Sequence, residues 1–237
     1  MALPKLGYPT YELELPSTGK TIKYRPFLVK EEKVLLLALD SKDEKQVINA
    51  VKDLIKNCVT TRIKVDTLPS FDLEYLFLKI RGASIGETII LTVTCLDDNE
   101  TQVEATINID EVEVFKPEGH DKKIMFDDKT GIVMKYPSMK EFVEREFLQK
   151  EMKTEEVYDY IADSIDQIFD DEEVYDSSTT TKKEFRTFVD SLTTRQFEKI
   201  QKFYETSPKL SHTFKVVNPN TGKESEYTVE GLQSFFA

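Results

Sequence analysis

The sequence predicts an α+β fold: short antiparallel β-hairpins with α-helices between them, a helical region, and a terminal hairpin followed by a short helix. Two observations predict it. Four segments carry apolar or aromatic side chains at period two around turns rich in Gly, Asn, Asp or Pro. The stretches between them place apolar residues at helical spacing behind capping residues.

The first hairpin is Tyr11–Leu15 and Lys20–Tyr24 around Pro16-Ser-Thr-Gly19. Leu28–Leu39 follows; its second half is apolar nearly all round, so it is expected to be a central helix. Ser41 and Glu44 then have the spacing of a capping box. Behind them Val47, Ile48, Val51, Leu54, Ile55, Cys58 and Val59 form one amphipathic stripe. Pro69 opens another helix through Phe71, Leu73, Leu76 and Ile80, expected to stop at Gly82. The second hairpin joins Thr88–Leu96 to Gln102–Ile109, with Ile89, Leu91, Val93 and Cys95 on one face. The third joins Lys123–Phe126 to Ile132–Tyr136.

Ser138 and Glu141 cap a helix containing Phe142, Val143 and Phe147. Val157, Tyr158, Ile161, Ile165, Ile168 and Phe169 read as the next helix. Thr181 with Glu184, and Thr193 with Gln196, cap two short helices that read as a helical hairpin. The fourth hairpin joins His212–Val217 to Lys223–Val229. A length of 237 residues suits one large domain or two small ones. We expect an α+β part over 1–137, a helical region over 138–206 with an acidic loop at 170–181, and a terminal hairpin and helix over 207–237. Lys23-Tyr-Arg-Pro26 and Lys135-Tyr-Pro137 each close a hairpin before a helix. Either a hairpin–helix module is duplicated, or tight turns share a limited chemistry.

Charge narrows the function. The formal net charge is −12, which argues against binding nucleic acid by neutralising phosphates. Residues 141–176 hold 14 acids and 3 bases, so nearly all of the excess lies there. Its densest piece, Asp170-Asp171-Glu172-Glu173, precedes a Ser/Thr run and reads as a solvated loop. A docking surface for a basic partner is the other reading. No apolar run approaches a membrane span, and the segment after Met1 lacks the apolar core of a signal peptide. Two cysteines make no disulfide framework, so free thiols in a reducing cytosol are expected.

The catalytic inventory is thin. His120 lies in a polar connector and His212 at the start of a strand; neither has metal-helix spacing. No Gly-x-Ser-x-Gly elbow and no Gly-Lys-Ser/Thr phosphate cradle occurs. Cys95 stands where a zinc knuckle would begin, but no second Cys follows. No catalytic residue, metal or other cofactor is expected.

Four blocks carry a resemblance. They are Leu3-Pro-Lys-Leu-Gly-Tyr-Pro-Thr-Tyr-Glu-Leu13, Lys23-Tyr-Arg-Pro-Phe-Leu-Val-Lys-Glu-Glu-Lys-Val-Leu35, Leu76-Phe-Leu-Lys-Ile-Arg81 and Val229-Glu-Gly-Leu-Gln-Ser-Phe-Phe236. Together they resemble the baseplate hub subunit or hub assembly family of T-even-like contractile-tailed phages, especially its cyanophage branch. The resemblance implies a non-enzymatic viral protein that contacts other hub and tail proteins. It is compatible with a component kept in the virion baseplate and with a chaperone that acts only during assembly in the host cytoplasm. It also implies relatives with knuckle-like cysteines in the hairpins matching 92–109 and 212–229, where this chain keeps only Cys95.

The candidate partner-interface residues follow from these blocks and from the charge. Tyr24, Arg25 and Phe27 belong to the second block, and Asp170, Asp171, Glu172 and Glu173 to the acidic one. Leu232, Phe235 and Phe236 form an apolar end, which either docks on its own core or offers anchors to a neighbour. Exposed hairpin edges add further surface. The competing readings are an enzyme with scattered carboxylates and an acidic module that mimics nucleic acid to bind a basic host protein.

Overall fold

The computed structural model describes residues 7–146, 151–176 and 178–235. It is an α+β fold of seven α-helices and small antiparallel sheets among these residues. Contacts divide the chain into two units. One takes in Met1–Phe115, Ser138–Gln149 and Lys209–Ala237; the other takes in Lys116–Pro137 and Lys150–Pro208. The 123–134 hairpin thus lies with the helices after 150, and the last hairpin with the N-terminal part.

The first unit opens on the predicted hairpin, β1 (Tyr11–Glu14) and β2 (Thr21–Tyr24). Leu13 pairs with Ile22, and both are buried. Gly19 takes φ +67°, the left-handed conformation that closes such a turn at little cost. Helix α1 (Val29–Ser41) follows, then α2 (Glu44–Cys58). The cap of α2 is Asp43, whose carboxylate accepts the Lys45 and Gln46 N–H groups, rather than Ser41. The stripe from Val47 to Cys58 is buried as the spacing requires, with Ile48 half-buried at its margin.

Helix α3 (Ser70–Ile85) corrects two expectations. It runs past Gly82 and ends at Gly86, whose φ of +151° no other residue adopts easily. Gly82 is instead a packing position, where an added Cβ would stand 3.2 Å from Ile109. The central helix is α3, not α1: Leu73, Leu76, Leu78 and Ile80 are fully buried, whereas α1 buries only Glu31 and Ala38. Helix α3 tolerates burial on all sides because its charged groups find partners. Asp72 accepts the Ser17 N–H at 3.0 Å and the Ser17 hydroxyl. Lys79 donates to the Ile109 carbonyl at 2.7 Å and sits over the Tyr75 ring. Burial pushes the Asp72 carboxyl up against its Ser17 bonds, and the Lys79 ammonium down against the nearby Asp110 carboxylate at 3.5 Å.

The second hairpin, β3 (Thr88–Thr94) and β4 (Gln102–Asn108), keeps the predicted faces, with Ile89 opposite Ile107 and Leu91 opposite Ala105. A strand not foreseen, β5 (Glu113–Phe115), becomes the edge of the terminal sheet.

The second unit begins with β6 (Lys123–Met125) and β7 (Gly131–Met134). Helix α4 (Met139–Glu146) returns to the first unit, where Phe142 and Val143 are fully buried. Glu141 accepts the Ser138 N–H at 2.8 Å, as the cap predicts; Phe147 lies outside the described residues.

Helix α5 (Thr154–Asp163) is shorter than its apolar pattern suggests. At Ser164 the hydroxyl and N–H both bond the Tyr160 carbonyl, and the chain turns into β8 (Ile165–Phe169). The β-branched Ile165 and Ile168 suit a strand, and Ile168 pairs with Ile132 of β7. The acidic block is the exposed turn between β8 and β9 (Val174–Asp176), where Asp170 accepts the Glu172 and Glu173 N–H groups. The sheet order is β6-β7-β8-β9.

Helices α6 (Lys182–Ser191) and α7 (Thr194–Glu205) carry both predicted capping boxes. Their Phe185, Val189, Ile200 and Phe203 fill the second core with Ile132, Met134 and Ile161. Gly131 has no room for a side chain: an added Cβ would lie 2.5 Å from the Ile124 carbonyl oxygen and 2.6 Å from Phe169. Gly131→Ala is expected to cost about 1–3 kcal/mol through overpacking of backbone that cannot yield, read as a lower urea midpoint. An unchanged midpoint would mean that β6 and β7 separate readily.

Strands β10 (Lys209–Val217) and β11 (Glu224–Glu230) return to the first unit and give a sheet of order β11-β10-β5. A 3-10 turn, Leu232–Phe235, ends the described chain, and Leu232 and Phe235 enter the first core.

Candidate interaction surfaces

The Tyr24–Phe27 block lies inward. Tyr24 is buried and stacks on Tyr11 at 5.6 Å; burial, then Asp110, pushes its hydroxyl up to about 12. Arg25 is 7% exposed and forms a two-pronged pair with Glu31, at 2.8 and 3.4 Å. Glu31 also accepts the Leu28 N–H at 2.6 Å, so the carboxylate that caps α1 holds the arginine too. Burial raises the Glu31 carboxyl, but the Arg25 and Leu28 bonds outweigh it and hold it below its usual range. Phe27 is half-buried, and its N–H donates to Ser84 at 2.9 Å. Leu232 and Phe235 are buried; Phe236 lies outside the described residues. Tyr24, Arg25, Leu232 and Phe235 therefore pack into the chain's own interior, which for Leu232 and Phe235 is the first of the two readings of the apolar end.

The acidic turn is exposed at Asp170, Asp171, Glu172 and Glu173. Bases from elsewhere in the second unit answer part of the regional charge. Lys129 pairs with Asp171 and Lys182 with Asp163. Arg186 lies over the Tyr158 ring and pairs with Glu155, Asp159 and Asp190 at 2.9, 3.5 and 3.4 Å. Glu172 and Glu173 have no ion-pair partner among the described residues.

Two hairpin tips meet in a network that no local pattern in the sequence announces. Asn218, buried at the β10–β11 turn, donates to Asp97 at 2.9 Å and to Asp98 at 2.8 Å. Thr221 donates to Asp97 at 2.5 Å, and Asn220 to Thr101 at 2.9 Å. The Tyr227 hydroxyl donates to the Thr94 carbonyl and accepts the Leu96 N–H. Both turns are rich in Asp, Asn and Thr, but nothing in the sequence pairs residues 120 apart. Asn218 and then Thr221 hold Asp97 below its ordinary range; Thr101 and neighbouring N–H groups do so for Asp98.

Asn218→Ala is expected to cost about 1–2 kcal/mol, seen as a lower thermal midpoint at pH 7. Carboxyls depressed in the folded state stabilise above their unfolded pKa of about 3.9, and the contribution fades as pH falls through the folded value. The gap between variant and parent should therefore narrow as the pH falls below about 4. A gap that stays constant from pH 7 to pH 2 would contradict the network.

The groups that could suggest chemistry are tied up structurally. His120 sits among Tyr136 and Phe203, bonded to the Tyr136 hydroxyl at 2.9 Å and the Thr206 hydroxyl at 3.0 Å; burial lowers its pKa. His212 faces the Glu111 carbonyl at 3.2 Å and stacks on Phe214. Cys58 and Cys95 are free and buried, and burial pushes the Cys58 thiol up to about 11. Among the described residues no three His, Cys, Asp or Glu side chains gather as metal ligands. No described helix is long and apolar enough to cross a membrane.

The family model of the T4 bacteriophage base plate protein matches residues 8–237, and the chain belongs to that family. It is thus a phage baseplate protein, and a structural role follows from that membership. Neither a curated protein nor a solved structure shows a significant match to it.

Proposed function

We propose that this chain builds the hub of the baseplate by binding other hub and tail proteins. The family match over residues 8–237 carries the reading. The blocks around Tyr24-Arg-Pro-Phe27 and Glu230-Gly-Leu-Gln-Ser-Phe-Phe236 support the hub and its cyanophage branch within that family. The burial of Tyr24, Arg25, Leu232 and Phe235 supports a role for these blocks in shaping the scaffold rather than in touching the partner. The exposed Asp170–Glu173 turn is the proposed contact for a basic patch on a neighbour.

Infection with a phage lacking this gene tests the proposal. Electron microscopy of the lysate should show no complete baseplates and no attached tails. Complete baseplates would contradict it. Mass spectrometry of purified virions then separates a retained subunit from a chaperone that leaves before maturation.

A further inference from the structure

We infer that α1 is a self-association surface, covered by the α1 helix of a second copy of this chain running antiparallel to it. Glu31 and Ala38 are buried and fix the inward side of α1. At about 100° per residue, Val29, Lys33, Leu36 and Asp40 then fall on the opposite side, with Leu37 and Leu39 on its flanks. All six are exposed. Leu36 and Leu37, in mid-helix, are 55% and 58% exposed. This is an apolar face on a helix whose own unit buries Asp72 and Lys79 elsewhere.

The charges on the face select the occupant. Lys33 and Asp40 make no ion pair among the described residues. Seven residues apart, they stand about 10.5 Å from each other along the axis, too far to answer each other. A twofold axis between Leu36 and Leu37 brings residue i opposite residue 73 − i of the second copy. Lys33 then faces the second copy's Asp40, and Asp40 faces its Lys33. Leu36 meets the second copy's Leu37. The stripe is therefore its own complement, as an isologous interface requires. A parallel arrangement would set lysine against lysine and aspartate against aspartate, so the same charges exclude it. The inference concerns the first unit alone and does not depend on the hub assignment.

Light scattering coupled to gel filtration tests it on the full chain. The parent should elute with twice the mass of one chain at tens of micromolar. Leu36→Asp with Leu37→Asp should halve that mass while leaving the circular dichroism spectrum unchanged, because both side chains are solvent-facing in the single chain. Lys33→Asp and Asp40→Lys should each weaken the dimer about tenfold or more by juxtaposing like charges. Mixing these two variants should restore a dimer, because each then supplies the charge the other needs. A monomeric parent overturns the proposal, as does a dimer indifferent to the leucine changes or a mixture that stays dissociated. The first of these results would leave the hub reading intact.

Discussion

Phe235→Ala is expected to lower the unfolding free energy by about 3–5 kcal/mol, among the largest effects available in this chain. Phe235, the last described residue, is fully buried in the first core with Leu232. Truncation removes an aromatic ring's transfer free energy and leaves a cavity between α3 and the terminal sheet, which relax only in part. Urea unfolding followed by circular dichroism measures the loss. The result decides between two uses of an apolar end. A core residue gives a large loss in the isolated chain, whereas an anchor for a neighbour gives a change within about 0.5 kcal/mol.

Arg25→Met is expected to cost about 3 kcal/mol. The substitution keeps the aliphatic stem but strips the charge from a pair that lies under the surface. Glu31 would be left buried with the Leu28 N–H and the exposed Lys30 ammonium at 3.6 Å to oppose its charge. Adding Glu31→Gln should return part of the loss, because the amide oxygen still accepts the Leu28 N–H and no charge remains buried. The parent should also weaken in acid. Glu31 is held below its usual value of about 4.3, so its contribution is complete above that pH and is lost as pH falls through the folded value. A double variant no more stable than the single one would mean that the charge pair is not what holds the cap.

Much of the fold is legible because its signals are local. The hairpins at 11–24, 88–109 and 209–230 follow from alternation and turn chemistry, and the caps at Thr181 and Thr193 from side chains three residues apart. The failures come where a distant partner outweighs local pattern. Ile165 and Ile168 continue a helical stripe on paper, yet pairing with β7 makes them a strand. The segment around Leu36 looks central by composition, but α3 takes the centre because Ser17 and the Ile109 carbonyl satisfy its charges. That Asp170 closes the 170–173 turn onto the Glu172 and Glu173 N–H groups is not legible from the charge run alone.

The candidate surfaces divide along the same line. The charge count places the acidic turn on the outside correctly, because no arrangement buries four consecutive carboxylates cheaply. It does not reveal that Lys129, Lys182 and Arg186 fold back onto its neighbours. Motif reading singles out Tyr24-Arg-Pro-Phe27 as a block but not which side of the molecule it serves. The Asn218–Asp97–Asp98 link and the exposed α1 face carry no local signal, since each depends on what lies across the fold.

Cross-linking the tagged chain in infected cells, followed by mass spectrometry of the purified complexes, measures most directly whether it works as a baseplate-building surface. The account predicts links from its exposed lysines to other proteins of the phage baseplate, present before tails are complete. Links confined to the chain itself and to host proteins, with tails assembling normally around it, would contradict the account.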